Sequence, residues 1–325
     1  MLELDTCTDI SSTFIVPDYR PSMKSLELKM FFTGPERTYT DEGDHSDELG
    51  LTKLIIEPVD LYQGETCKDT SSIIKRYHNT LDHLEWDMDT SQDTENIEDL
   101  HYPRLKKLAL YWAGWHIPRN APLIEDVTLA SRIIQPHPEV LDTIPPHMRK
   151  LELDLEGIPQ VVHKSSILRY LSRIALQCQL NELALRLNST DQFADILNAI
   201  YRHVHLECLK ISFTRDWDHN GMERFFDGLV KRCPRLSCLE LRCPNAPSIQ
   251  SLNTLKRLTH LKQVAFSIHG TDSLDGFWDT LRTFSQLKRI RMYPWSEDFE
   301  GRITSLKRQR PDFKIIYSRF CSGHF

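Results

Sequence analysis

A short pattern of apolar and polar positions recurs along the chain: an apolar residue, two residues of any type, an apolar residue, one further residue, and a third apolar residue. Full copies start at residues 23, 51, 81, 105, 124, 148, 180, 206, 236, 261 and 287, so eleven copies follow one another at a mean spacing of 26.4 residues. The alternation within each copy is typical of a β-strand with one buried and one exposed face. The pattern therefore predicts a series of units that each begin with a strand.

Between the copies, the apolar positions take up the period of an amphipathic helix. Residues 165–177, 191–202, 221–232, 248–257, 273–284 and 299–310 are predicted to be helical. A strand and its helix cannot bury their apolar faces alone, so neighbouring units must stack. We predict an α/β solenoid with parallel strands on a concave face and helices on a convex face. It is expected to be a single domain over residues 1–325 with about twelve repeats.

Two other α/β arrangements fit the pattern less well. A doubly wound sheet would need glycine at the first turn from strand to helix, and no glycine is placed there. A closed barrel would be complete after eight strand–helix units, fewer than the eleven copies of the pattern.

Numbering each copy from its first apolar residue divides the positions between core and surface. The eighth position is mostly apolar and is predicted to face the core, where we also place Trp112. The third, fifth and seventh positions are predicted to point outward, and Tyr111 is the expected aromatic anchor there. The candidate partner-binding residues on this concave face are Glu85, Asp87, Tyr111, Glu152, Asp154, Arg186, Lys210, Glu240, Arg242, Arg289, Arg291 and Tyr293.

One copy carries a more specific signature. The run Cys233-Pro-Arg-Leu236-Ser-Cys-Leu239-Glu-Leu241 resembles the C-P-x-L-x-x-L-x-L phrase of leucine-rich repeats in F-box proteins, notably their fungal members. The resemblance implies a ribonuclease-inhibitor-like horseshoe that captures a protein substrate for an SCF-type ubiquitin ligase. It also implies a Skp1-type adaptor as partner, provided that an F-box precedes Met1.

The resemblance is incomplete in two respects. No F-box is visible, and Leu2 and Leu4 already occupy the second and third apolar positions of a repeat copy. We therefore expect a chain truncated at its N-terminus or a repeat protein without an F-box. The ninth position of regular repeats is Asn or Cys; here only Asn188 fits, with Thr214 and Asp89 as substitutes, so irregular turns are expected.

The charged residues are distributed unevenly along the chain. Residues 1–160 hold 15 Lys and Arg against 30 Asp and Glu, while the whole chain holds 40 against 46. The net charge of −6 therefore combines −15 in the first part with +9 in the second. Such a separation would steer and orient a partner of complementary charge. Arg242 and Arg291 are expected to be exposed, so that reversing both charges would leave stability nearly unchanged.

No catalytic motif is visible in the sequence, and we expect neither an enzyme nor a cofactor. Cys233, Cys238 and Cys243 lie five residues apart, which does not match the spacing of zinc ligands. The acidic segment Asp41–Glu48 lacks the ligand pattern of an EF-hand and is expected to be a solvated loop.

The leading hypothesis is a protein-recognition module that resembles the substrate-binding part of an F-box protein. Two alternatives remain open: a leucine-rich-repeat scaffold or regulator without a ligase role, and a repeat protein directed at RNA or a GTPase. Since neither a signal peptide nor a long apolar run is present, we expect a monomer in the cytoplasm or nucleus, without membrane contact. With no basic excess overall, nucleic acid is not the expected partner.

Overall fold

A computed structural model of the chain describes residues 2–6, 24–30, 50–58, 69–87, 97, 99–157, 160–188, 190–215, 217–267, 275–293 and 300–317. The acidic segment Asp41–Glu48 lies outside these ranges. Contacts between residues divide the chain into two compact units, Met1–Met148 and Arg149–Phe325. That residues 1–325 form one domain stays a prediction.

The first unit contains a parallel sheet whose strands pair in chain order. Its strands are Leu2–Thr6 (β1), Ser25–Met30 (β2), Lys53–Pro58 (β3), His83–Trp86 (β4), Lys107–Leu110 (β5) and Asp126–Leu129 (β6). Its helices are Asp69–Tyr77 (α1), Ser131–Ile134 (α2) and Val140–Thr143 (α3), with a short 3₁₀ helix at Ile117–Asn120.

The second unit repeats the same arrangement with longer helices. Its strands, again parallel and paired in chain order, are Lys150–Asp154 (β7), Glu182–Leu187 (β8), Cys208–Phe213 (β9), Cys238–Arg242 (β10), Gln263–Ser267 (β11), Arg289–Tyr293 (β12) and Lys314–Tyr317 (β13). Its helices are Gln160–Gln177 (α4), Thr190–Ile200 (α5), His219–Arg232 (α6), Ile249–Leu255 (α7), Asp275–Arg282 (α8) and Glu300–Gln309 (α9).

The register of the strands follows the repeat pattern. Leu209, Leu239 and Val264, at the fourth position of three successive copies, are direct partners on β9, β10 and β11. All three are buried. On β1, Leu2 and Leu4 pair with Leu26 and Leu28, so the first residues of the chain join the repeat pattern in the predicted register.

A shared carbonyl group holds the start of many of the strands. The Asn181 carbonyl accepts hydrogen bonds from the N–H groups of Glu207 and Cys208, at 2.8 and 2.9 Å. In the next copy the Glu207 carbonyl accepts from Ser237 and Cys238, at 2.8 and 3.0 Å. The second-position carbonyl of one copy thus holds two N–H groups of the next copy, and this satisfies backbone groups where the chain enters the sheet.

The helices of the second unit pack their apolar sides against the sheet. Helix α6 buries Met222, Phe225, Phe226 and Leu229, which lie on one face because three- and four-residue steps return to the same side of a helix. Its first turn is capped by Asp218, whose Oδ2 accepts from the Gly221 N–H at 2.8 Å. Such a cap satisfies a backbone donor that has no partner within the helix.

The α/β class, the parallel strands and the helices that follow them are confirmed. Each of the six predicted helices begins and ends within a few residues of α4 to α9. The eighth position is buried at Leu155, Leu187, Phe213 and Cys243, as predicted. Trp112, however, is only half-buried. The Arg132 guanidinium lies over its ring, 3.3 Å from the ring centre, so part of its surroundings is a charged side chain that remains accessible to water.

Candidate functional site

The third, fifth and seventh positions of the copies lie along one side of each sheet, which we call the outward face. In the second unit the register arranges these positions as three rows across the strands. The third-position row is Lys150, Glu182, Cys208, Cys238, Gln263, Arg289 and Lys314. The fifth-position row is Glu152, Ala184, Lys210, Glu240, Ala265, Arg291 and Ile316. The seventh-position row is Asp154, Arg186, Ser212, Arg242, Ser267 and Tyr293.

Glu182 of β8 is the centre of an ion-pair cluster on this face. Its Oε1 accepts a hydrogen bond from the Nζ of Lys210 at 2.7 Å, and the Nζ of Lys150 lies 3.6 Å away. Burial disfavours the charged carboxylate, but the hydrogen bond and the charge of Lys210, together with Lys150, outweigh it and lower the pKa of Glu182. Glu182 and Lys150 were missed as site residues, although both stand at the outward third position.

Two further carboxylates on β7 behave differently from each other. Burial raises the pKa of Glu152, against the opposing charges of Lys150, Lys210 and Arg186. Asp154 instead forms an ion pair with Arg186, whose Nη1 lies 3.5 Å from its Oδ2. The structure thus brings together four of the predicted residues, Glu152, Asp154, Arg186 and Lys210, on three adjacent strands.

Glu240 and Arg242 of β10 form the most enclosed pair. The Arg242 Nε donates to the Glu240 Oε1 at 2.7 Å, and the two side chains are only 14% and 3% exposed. The expectation that Arg242 is an exposed charge is therefore wrong. Its guanidinium folds back along its own strand to satisfy a carboxylate that its neighbours have removed from water.

On β11 to β13 the charged side chains at outward positions are all cationic within the described ranges. Arg289 donates to the side-chain oxygen of Gln263 at 3.2 Å. Because Gln263 is uncharged, this hydrogen bond does not neutralise the guanidinium group. Arg291 is half-buried, and Lys314 is exposed. The outward positions of these three strands carry no Asp or Glu within the described ranges. The side chain of Tyr293 lies outside the described residues.

In the first unit, two of the predicted residues contact each other. The Tyr111 hydroxyl donates to the Glu85 Oε1 at 3.4 Å. The Nε2 of His83 lies 3.9 Å from the Oε2 of Glu85. Burial, together with the charges of Lys107 and Lys53, lowers the pKa of His83 to about 4. The imidazole is therefore neutral near pH 7 and does not form an ion pair with Glu85. Asp87 donates its backbone N–H to the Ile56 carbonyl at 2.9 Å.

An aromatic group follows β5, near Tyr111. Trp115 stacks on His137 with ring centres 4.5 Å apart and planes inclined by 11°. Gly114, just before it, has a positive φ of 81°, a region that glycine adopts at little cost. A Cβ at this position would lie 2.9 Å from Ile117 and 3.1 Å from Trp86, so the turn that carries Trp115 depends on glycine.

Asparagine side chains support two turns of the second unit. The Asn188 side-chain oxygen accepts from the Gly157 N–H at 3.4 Å, so this ninth-position residue satisfies a backbone donor of the neighbouring turn. Asn245 was not singled out from the sequence. It accepts from the Trp217 N–H at 2.9 Å and donates to the Trp217 carbonyl at 2.6 Å, and so replaces the backbone partners that the turn lacks.

Within the described ranges, no group of three or more His, Cys, Asp and Glu side chains is arranged to hold a metal ion. None of the helices in those ranges combines the length and the apolar character needed to cross a membrane.

No protein-family profile matches the chain, and no curated protein matches it.

Proposed function

We propose that the chain is a leucine-rich-repeat module that recognises another protein through the outward face of its sheet, and that it resembles the substrate-binding part of an SCF-type F-box receptor. In this proposal the stacked repeats form a horseshoe whose concave side is the outward face. The observation that carries the proposal is the ordered charge on β7 to β10, where Glu182, Asp154 and Glu240 each hold a cationic side chain. Side chains that are already ordered lose little entropy when a partner binds.

The charges at the outward positions of β11 to β13 indicate the charge of the partner. On β7 to β10 most charged side chains of the outward face form ion pairs with each other, while β11 to β13 contribute Arg289 and Lys314 and no carboxylate at outward positions within the described ranges. An acidic segment would complement this end of the face. Because opposite charges steer encounter and fix orientation, we infer that an Asp- and Glu-rich stretch of the partner protein docks over β11 to β13.

Binding of synthetic peptides tests the acidic partner directly. Fluorescence anisotropy would compare labelled Asp- and Glu-rich peptides with uncharged peptides of equal length. The double variant Arg289→Gln/Lys314→Gln should weaken binding of the acidic peptides about tenfold, equivalent to about 1.4 kcal/mol.

The matched control is Lys307→Gln/Arg308→Gln, which removes two exposed cations from the last turn of α9 and changes the net charge equally. Its affinity for the acidic peptides should stay at the wild-type value. Equal weakening by both double variants would contradict a site on the outward face, because it would reflect net charge alone. Failure of every acidic peptide to bind would contradict the acidic partner.

A separate experiment addresses the ligase role. The product of the complete gene would be co-expressed with a Skp1-type adaptor and recovered through a tag. Recovery of the adaptor supports the resemblance to F-box receptors. If the adaptor is not recovered, the ligase role is refuted, while peptide binding by the outward face would still support a recognition module of another kind.

A further inference from the structure

Two cysteines lie side by side on the outward face of the second unit. Cys208 begins β9, Cys238 begins β10, and the two residues are direct partners in the parallel register. Neighbouring strands lie about 4.8 Å apart, and the Cα atoms of disulfide-bonded cysteines are usually about 4.4–6.8 Å apart. The spacing of the strands is therefore compatible with a disulfide between the two residues.

The two thiols interact in a way that distinguishes them. Both are free and half-buried, and they share a hydrogen bond. That hydrogen bond lowers the pKa of Cys238, against burial and the charge of Glu240. The same hydrogen bond, reinforced by burial, raises the pKa of Cys208. Cys238 therefore loses its proton first, and the Cys208 thiol stabilises the thiolate that results.

The pair is also more accessible than the other described cysteines. Cys178, Cys233 and Cys243 are buried. Burial also raises the pKa of Cys233 to about 12. Since the thiolate is the reactive form of cysteine, a small oxidant in solution should react at Cys238 before it reacts at these buried thiols.

We propose that Cys208 and Cys238 form a redox-active dithiol that hydrogen peroxide converts to an intramolecular disulfide. The Cys238 thiolate attacks one peroxide oxygen, the O–O bond breaks, and hydroxide leaves while Cys238 becomes a sulfenic acid. The Cys208 sulfur then attacks the Cys238 sulfur, the S–O bond breaks, and the hydroxyl group leaves as water with the proton of Cys208. Overall, two thiols and one peroxide give one disulfide and two waters. The pair lies on the outward face, but its reaction does not require that this face binds a partner.

Peptide mass spectrometry under non-reducing conditions tests the disulfide. Trypsin releases Cys208 in the peptide 203–210 and Cys238 in the peptide 236–242, and neither peptide contains another cysteine. After exposure of the full chain to hydrogen peroxide, we expect these two peptides as one linked species that dithiothreitol separates. Recovery of both peptides unlinked would overturn the proposal, as would a linked species found only in chains that migrate as covalent dimers in non-reducing gel electrophoresis.

Single variants test the assignment of the pair. The linked species should be absent from Cys208→Ser and Cys238→Ser and present in Cys178→Ala, which removes a thiol of the same unit outside the pair. The order of reaction is tested on the wild-type chain: with a limiting amount of iodoacetamide, Cys238 should be labelled before Cys208, because the shared hydrogen bond lowers the pKa of Cys238 and raises that of Cys208. Equal or reversed labelling would contradict the assignment of Cys238 as the attacking thiol.

Discussion

Replacing Arg242 by alanine tests whether the charges of the outward face also stabilise the sheet. The Glu240 side chain is only 3% exposed, and the Arg242 Nε donates to its carboxylate at 2.7 Å. Removing one partner of a buried ion pair leaves the other charge without compensation, which costs about 3–5 kcal/mol. Lys210 also interacts with Glu240, and some water reaches Arg242. We therefore expect Arg242→Ala to lower the free energy of unfolding by about 3 kcal/mol, at the lower end of that range.

A double-mutant cycle separates the pair from the loss of the arginine side chain. Glu240→Gln removes the charge that needs compensation, so adding it to Arg242→Ala should restore part of the lost stability. The coupling free energy between the two positions should be about 2 kcal/mol. Urea unfolding followed by far-UV circular dichroism measures each corner of the cycle at the same pH and salt concentration.

Lys164→Ala provides the comparison with an exposed pair. The Nζ of Lys164 lies 2.6 Å from the Oδ2 of Asp195, and the two side chains are 34% and 59% exposed. Such exposed pairs contribute about 0.5 kcal/mol to the free energy of unfolding. A loss in Arg242→Ala no greater than in Lys164→Ala, with no coupling to Glu240, would refute the reasoning, because it would mean that water compensates the Glu240 carboxylate.

Three further predictions concern packing, protonation and a turn. Leu239→Ala should cost about 2–5 kcal/mol by opening a cavity, whereas Leu176→Ala, at a side chain 89% exposed, should leave the urea midpoint unchanged. Burial lowers the pKa of His203 to about 4, so its protonation favours the unfolded chain. The contribution of His203 alone should lower stability by about 2 kcal/mol from pH 7 to pH 5, and His203→Leu should remove that part of the pH dependence. Gly114→Ala should lower the melting temperature more than Gly157→Ala, since both have φ of 81° but only the first Cβ would meet close neighbours.

The strands of this fold are predictable because each apolar pattern determines its own pairing. Leu2 and Leu4 fall into register with Leu26 and Leu28 on β2, as the repeat pattern predicts. Strand β13 was missed because Asp312 stands where the first apolar residue of a copy would be. Helix α1 was also not predicted. It is short, and its first turn is rich in serine and threonine, so too few apolar residues remain to show the helical period.

The outward positions are predictable from the same pattern, but the interactions between them are not. The sequence places Glu240 outward and polar, whereas its burial depends on the side chains of the adjoining strands. The Cys208–Cys238 pair left a usable signal: both occupy the third position of consecutive copies, which parallel pairing makes neighbours. Spacing along the chain, by contrast, drew attention to Cys233, Cys238 and Cys243.

The shared second-position carbonyl allows the segments between strands to differ in length while the strands stay aligned. Because one oxygen anchors the start of the next strand through two N–H groups, as Asn181 does for Glu207 and Cys208, strand alignment does not depend on the length of the segment between strands. Successive copies start as few as 19 and as many as 32 residues apart, yet the strands around them keep the same pairing. Connecting segments can therefore lengthen or shorten during evolution, and outward residues can be exchanged strand by strand, without shifting the residues opposite them.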